Sequence, residues 1–158
     1  MFFATRITPE TPRAMPTAAK LIGAVLFFGI GWLAALQVIE TFPEGTPATW
    51  FPLTIALIGL WQGWTVAGWH AGKGYAIANG LETSIRLALI GLAIFALRTM
   101  LMRAFDMRYD GVGEALLAAG DLFVDYGLQS LTLPIWGVLL VGGAIGGLIC
   151  ETVARRWR

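Results

Sequence analysis

Charged residues are scarce in this chain of 158 residues, because Asp, Glu, Lys and Arg together supply 13% of it, about half the share found in soluble domains. Hydrophobic residues supply 57%, so the composition excludes an ordinary soluble domain and indicates an integral membrane protein. The formal net charge of +1 creates no long-range field that would attract nucleic acid or an acidic partner. The expected surroundings are therefore the lipid bilayer, with no nucleic-acid partner.

Cysteine and histidine each occur once, as Cys150 and His70. A single thiol excludes an intramolecular disulfide, a four-thiolate zinc site and a two-thiol redox centre. The segment GWHAGKGY (68–75) departs from a phosphate-binding loop, because three residues instead of four separate Gly68 from Gly72, and Gly74 follows Lys73 where Ser or Thr is needed. No catalytic, cofactor-binding or metal site is predicted, and we expect the chain not to be an enzyme.

Long apolar runs are what the chain does contain, and about 20 such residues in a helix cross a hydrocarbon layer of roughly 30 Å. Residues 21–39, 50–69 and 131–150 meet this condition without internal charge, whereas residues 85–105 include arginines and are still predicted to span. The predicted fold class is all-α, an integral membrane bundle of four transmembrane helices. Residues 15–158 would form this single transmembrane domain.

Basic residues predict the orientation of the four spans. Eight Lys and Arg residues fall on the side of the termini and three on the other side, which favours cytoplasmic termini in a bacterial inner membrane. The polar residues 1–14 are expected to form a flexible segment, and Met15 is an alternative start site. The first apolar run is too long for a typical signal peptide and is expected to be an uncleaved anchor.

Five of the ten carboxylates lie between residues 103 and 126, in RAFDMRYDGVGEALLAAGDLFVDY. The segment is not an EF-hand, because Arg108 and Leu117 occupy positions where Asp or Asn and the closing Glu are required. Asp110 and Gly111 are typical of a turn. The turn ends the first part of the acidic segment, and helical periodicity begins after it.

An amphipathic helix is predicted over residues 112–129, at the membrane interface between the third and fourth spans. At 100° per residue, Glu114, Asp121 and Asp125 lie within about 40° of one another, whereas the apolar residues Val112, Leu116, Ala119 and Phe123 lie on the opposite side. The acidic stripe could face water, capture a divalent cation, or form an internal ion pair. The sequence leaves these alternatives open.

Arg98 is the natural partner for such an ion pair. It lies roughly 20 Å into the hydrocarbon layer, counted from Ile85 at about 1.5 Å per residue. An intramembrane arginine costs about 2.5–3.5 kcal/mol unless it meets water or a partner, which makes it a candidate functional residue. Arg98 with Asp121 or Asp125 is therefore a candidate functional ion pair.

Glycines repeat every four residues in the last predicted span. Gly142 with Gly146, and Gly143 with Gly147, form two small-xxx-small pairs on adjacent strips of one helix. Such pairs allow two helix backbones to approach closely. The pattern predicts helix packing, either within the bundle or between two copies of the chain.

Several sequence blocks are similar to one known family: MPTAAKLIGAVLFFGIGW, PEGTP, ALIGLWQGW, AGKGY, MRYDGVGEALL and VGGAIGGL. In these blocks, from Met15 nearly to the end, the chain resembles the TrgA-like family of alphaproteobacterial membrane proteins, which is associated with tellurite resistance. The resemblance implies a role in tellurite tolerance but provides no catalytic or binding residues to transfer.

Two functional hypotheses follow from the resemblance and the residues together. The first is a small non-enzymatic inner-membrane protein that supports tellurite or oxyanion tolerance as an accessory to other membrane proteins. The second is a small oligomeric transporter or channel that uses Arg98. The expected protein partner is accordingly a second copy of the chain or another membrane protein, and no cofactor is expected.

Overall fold

The computed structural model describes residues 18–41, 49–71, 73–106 and 111–156, and every regular element in these ranges is helical. The elements are α1 (Ala18–Ile39), α2 (Phe51–Gln62), a π-helical turn (Gly63–Ala67), α3 (Gly68–His70), α4 (Ala76–Phe105), α5 (Val112–Ser130) and α6 (Leu133–Arg156). The all-α prediction is confirmed. Three helices, α1, α4 and α6, are long and apolar enough to cross a membrane. The predicted N-terminal segment, residues 1–14, lies outside the described residues.

Two helices differ in extent from the predicted spans. Helix α4 begins at Ala76, nine residues before the predicted start of its span. Its first turns are polar, so a search for apolar runs misses them, but they are stabilised locally by an ion pair between Glu82 and Arg86 at 2.6 Å. Thr83 Oγ1 also donates a hydrogen bond to the Asn79 carbonyl at 2.6 Å. Helix α6 likewise continues past residue 150, to Arg156.

Four helical segments form a closed ring. Helix α1 packs on α2 and α6, and α4 packs on α2 and α6, while α5 packs on α4. We call the end of this bundle where α1 begins and α6 ends the termini end, and the opposite end the loop end. The ring has one apolar core near the loop end, around Leu87 and Leu139, and another near the termini end, around Phe27 and Cys150.

The predicted span 50–69 is helical but is not one α-helix, because a π-helical turn divides it. A Cβ atom on Gly59, Gly63 or Gly68 would collide with α1, so all three glycines face that helix. In a regular α-helix, Gly68 would point about 140° away from Gly63. The π-turn bonds Gly68 N–H to the Gly63 carbonyl, and this wider i to i+5 turn returns Gly68 to the side that faces α1.

The glycine pairs of α6 pack within the bundle. A Cβ atom on Gly147 would lie 2.9 Å from Gly80 Cα in α4, and one on Gly143 would lie 2.8 Å from the Gly80 carbonyl oxygen. Gly142 and Gly146 instead face α1, where their Cβ atoms would lie 3.2 Å and 3.3 Å from side-chain atoms of Ile30. The two predicted strips therefore contact two different neighbouring helices of the same chain.

Helix α5 agrees closely with the predicted amphipathic helix over 112–129. Leu122 is buried against Ala96 and Met100 of α4, and the Tyr126 hydroxyl donates a hydrogen bond to Thr99 Oγ1 at 3.1 Å. Of the predicted apolar residues, Ala119 and Phe123 join this contact, whereas Val112 and Leu116 are 80% and 62% exposed. The apolar side of the helix is therefore packed against the bundle around Ala119 to Phe123, whereas its first turns are not covered by the described chain.

Candidate functional site

A cavity of about 690 Å³ opens in the loop half of the bundle. Residues from all four helices of the ring line it, together with the C-terminal part of α5. On α1 the lining begins at Ala34, on α4 it runs from Leu87 to Thr99, and on α6 it ends at Leu139. All the lining residues therefore belong to the loop half, and the volume suits a small organic ligand.

Arg98 is the charged residue of the cavity lining. Leu87, Gly91 and Arg98 follow one strip of α4, since helical residues four, seven and eleven positions apart share a side. Leu87 is 1% exposed, so this strip faces the interior of the ring. Arg98 lines the cavity yet is itself exposed, which places its side chain where the cavity opens.

No carboxylate of the described residues neutralises Arg98. The ion pairs within the described ranges join Glu82 to Arg86 and Glu151 to Arg155. Gln129 lines the cavity with Arg98, and it lies on the same strip of α5 as Asp121 and Asp125, which are exposed. The two aspartates stand one and two turns further along that strip, about 6 and 12 Å away along the helix axis. The pairing of Arg98 with Asp121 or Asp125 therefore stays a prediction.

The cavity lining contains a second residue, besides Arg98, whose side chain can only donate hydrogen bonds. Trp136 lines the cavity, and its buried Nε1 has no hydrogen-bond partner among the described residues. An indole N–H and a guanidinium can only donate, never accept. The Tyr126 hydroxyl donates to Thr99, and Ser130 Oγ donates to the Gly127 carbonyl at 2.8 Å. The described residues of the lining include no carboxylate that could accept from Arg98 and Trp136.

The termini half of the bundle is filled by side chains and close backbone contacts. Phe27, Thr83, Ser84 and Cys150 are each at most 2% exposed. Helix α1 and the π-helical turn meet at Gly23 and Gly63, where a Cβ added to Gly23 would lie 2.7 Å from the Gly63 carbonyl oxygen. The sole thiol is buried in this packing, so it is poorly placed to meet an oxidant or a metal ion.

A second group of polar contacts holds the termini end together. Glu151 is 5% exposed and accepts hydrogen bonds from Gly74 N–H at 3.1 Å and from Arg155 Nε at 2.9 Å. It thereby ties the connection after α3 to the end of α6. Glu151 directly follows the predicted span 131–150, and the only sequence signal for its role is the arginine four residues later.

Lys20 and His70 also have structural partners at this end. Lys20 is 8% exposed, and its Nζ lies 4.5 Å from the ring centroid of Trp69, a cation–π distance. His70 Nδ1 lies 3.0 Å from the Val66 carbonyl oxygen, and Asn79 donates a hydrogen bond to the His70 carbonyl at 3.2 Å. These contacts explain both residues as parts of helix packing.

The cavity is suited to binding a ligand, because its lining contains no His, Cys, Asp or Glu side chain among the described residues. Among the described residues, no three His, Cys, Asp or Glu side chains come together as a metal site would require. The Arg98 guanidinium, the Trp136 indole and apolar side chains line the same cavity, and such groups can hold a ligand with an anionic group. Comparison of the chain with family models, curated proteins and solved structures gave no match.

Proposed function

We propose that this chain is a non-enzymatic protein of the bacterial inner membrane, with four spans and both termini in the cytoplasm, that supports tolerance of tellurite or related oxyanions. It would act as an accessory to other membrane proteins. The oxyanion role rests on the resemblance of its sequence blocks to the TrgA-like family. The accessory role rests on the cavity.

The four-span arrangement is supported by the helical segments. Residues 51–70 form twenty consecutive helical residues without a charge, and the π-turn within them keeps their backbone hydrogen-bonded, as a lipid environment requires. The termini end would face the cytoplasm, because most basic residues of the chain lie there. Helix α5 would then lie at the outer surface, with Val112 and Leu116 in contact with lipid.

The cavity is the observation that carries the accessory role. It is confined to the loop half, whereas backbone contacts at Gly23 with Gly63 and at Gly80 with Gly147 close the termini half. A transporter must open its site to both sides in turn, and the glycine contacts leave little freedom for such a movement, because packed interiors yield little. A site that is open at one end suits binding without transport.

A small transporter is the second candidate, and Arg98 is the observation that favours it. Intramembrane arginines that line cavities commonly mark the path of an anion, and Arg98 lines this one. This alternative requires the termini half to open at the glycine contacts. It also requires that the anion leave on the cytoplasmic side or enter from it.

Deletion and flux measurements separate the two candidates. We expect deletion of the gene to lower the tellurite concentration that the bacterium tolerates, and purified protein in liposomes to move no tellurite above the level of empty liposomes. Deletion without any change in tolerance would refute the oxyanion role. Flux that disappears in the variant R98Q would establish the transporter instead.

Co-purification from native membranes tests the accessory role directly. We expect another membrane protein to remain bound in mild detergent and to be identified by mass spectrometry. The variant G137A serves as a control for a substitution that leaves the bundle intact, because a Cβ added to Gly137 has no neighbour within 4 Å. Recovery of the chain alone, at full tolerance, would contradict the accessory role.

A further inference from the structure

The cavity lining contains two donors that a negatively charged ligand would satisfy. Arg98 takes part in neither ion pair of the described residues, and Trp136 Nε1 is buried without a partner among them. Both residues line the same space. The buried indole N–H without an acceptor costs free energy, and the Arg98 guanidinium at the cavity opening carries an unpaired charge, so a ligand that supplies anionic oxygens would satisfy both.

The walls of the cavity require more than a small anion. Val38, Ile55, Leu87, Phe95 and Leu139 present apolar surface to it, and the volume of about 690 Å³ lies well within the range of pockets that enclose drug-sized ligands. A hydrated oxyanion alone would leave these apolar walls uncovered. The ligand should therefore carry an apolar chain.

Polar and apolar residues are also separated along the bundle axis. Thr41, Arg98, Gln129 and Ser130 lie toward the loop end, whereas Leu87 and Leu139 lie deeper. A lipid has the same order, with its headgroup at the membrane surface and its chains toward the middle. The cavity therefore matches a lipid in charge, in polarity and in direction.

We propose that this cavity binds an anionic phospholipid of the outer leaflet, with its phosphate at Arg98 and Trp136 and one acyl chain along Leu87 and Leu139. Arginine and phosphate form strong paired hydrogen bonds. The inference rests on the proposed span arrangement, which places the loop end at the outer surface. It does not rest on the tellurite role.

Native mass spectrometry of the purified full chain, titrated with an acidic phospholipid in detergent, tests this inference. We expect the wild-type chain to retain one phospholipid. The variant R98Q should bind it about 10- to 100-fold more weakly, because one charge-assisted interaction is lost. The matched variant R103Q should bind as the wild type does, since Arg103 lies on the same helix but outside the cavity lining.

Two further variants keep the test informative if R98Q folds poorly. R98K keeps the positive charge and should bind more tightly than R98Q. A88F places a ring in the space of the acyl chain, since Ala88 lines the cavity, and it should weaken binding without removing a charge. Circular dichroism of each variant confirms that it is helical.

Three results would overturn the inference. The wild-type chain could carry no phospholipid, or R98Q and R103Q could bind it equally well. Thirdly, a large excess of inorganic phosphate could displace the lipid as readily as a second phospholipid does, which would assign the site to a free oxyanion. None of these results alters the deletion test of oxyanion tolerance, so the two proposals fail separately.

Discussion

Replacement of Gly147 by alanine should destabilise the bundle where α4 and α6 meet. The new methyl group would collide with the Ala76 carbonyl oxygen and would lie 2.9 Å from Gly80 Cα and 3.0 Å from Gly80 N, whereas carbon atoms pack best at about 3.5–4.0 Å. All three neighbours are backbone atoms and cannot rotate away. The two helices must therefore separate by roughly 0.6 Å or more at this point.

The magnitude of the effect follows from two opposing terms. Overpacking of this kind typically costs about 1–3 kcal/mol, and helix packing in a membrane depends mainly on such close contact. Alanine itself favours the helix by up to about 1 kcal/mol relative to glycine. We therefore expect G147A to lower the free energy of unfolding by about 1–2 kcal/mol after both terms.

The matched variant G137A separates these terms. Gly137 lies in the same helix, and an added Cβ there meets nothing within 4 Å, so only the helix propensity changes. We expect G137A to be as stable as the wild type or slightly more stable. Reversible unfolding in mixed micelles of dodecyl sulfate and maltoside, followed by circular dichroism, measures the difference. If G147A and G137A have equal stability, the backbone contact between α4 and α6 is refuted.

Three further predictions concern polar contacts. Y126F removes the hydrogen bond to Thr99 and should lower the free energy of unfolding by about 0.6–1.5 kcal/mol, measured in the same micelles; an unchanged value would mean that α5 is held by apolar contacts alone. E151A removes the acceptor of two hydrogen bonds and should increase hydrogen exchange in residues 73–75, whereas unchanged exchange would show that this connection is held elsewhere. The double variant R98D/D125R should lower the amount of protein in the membrane by the sum of the two single losses, because Gln129 lines the cavity with Arg98 whereas Asp121 and Asp125 do not. Recovery of the protein in the double variant would instead establish the candidate ion pair.

The helices were predictable because their signals are local. Uncharged apolar runs locate α1 nearly to both ends and α6 nearly at its start. The 3.6-residue periodicity of polar and apolar residues locates α5. The polar start of α4 could not be found by the same means, because its hydrogen bonds and its ion pair replace apolar character there. The π-turn has no sequence signal of its own, since it arises from the need to aim Gly68 at α1.

The candidate site was only partly predictable. Charge within an apolar run identified Arg98, and spacing identified the four glycines of α6, but neither shows what lies across from a residue. Gly80, the partner of Gly143 and Gly147, was missed although Gly80 and Ser84 form a small-xxx-small pair in α4. Trp136 carries neither a charge nor a spacing signal, and only the folded chain places it in the lining of the cavity with Arg98.

Tellurite flux in proteoliposomes shows whether the cavity binds its ligand without transport. Liposomes containing the purified chain are loaded with tellurite, and the amount retained is followed by elemental mass spectrometry beside empty liposomes and the variants R98Q and R103Q. The closed glycine contacts of the termini half predict that all four preparations lose tellurite at the same slow rate. Fast loss of tellurite from the wild type and from R103Q, but not from R98Q, would contradict binding without transport and would show that the chain is a transporter.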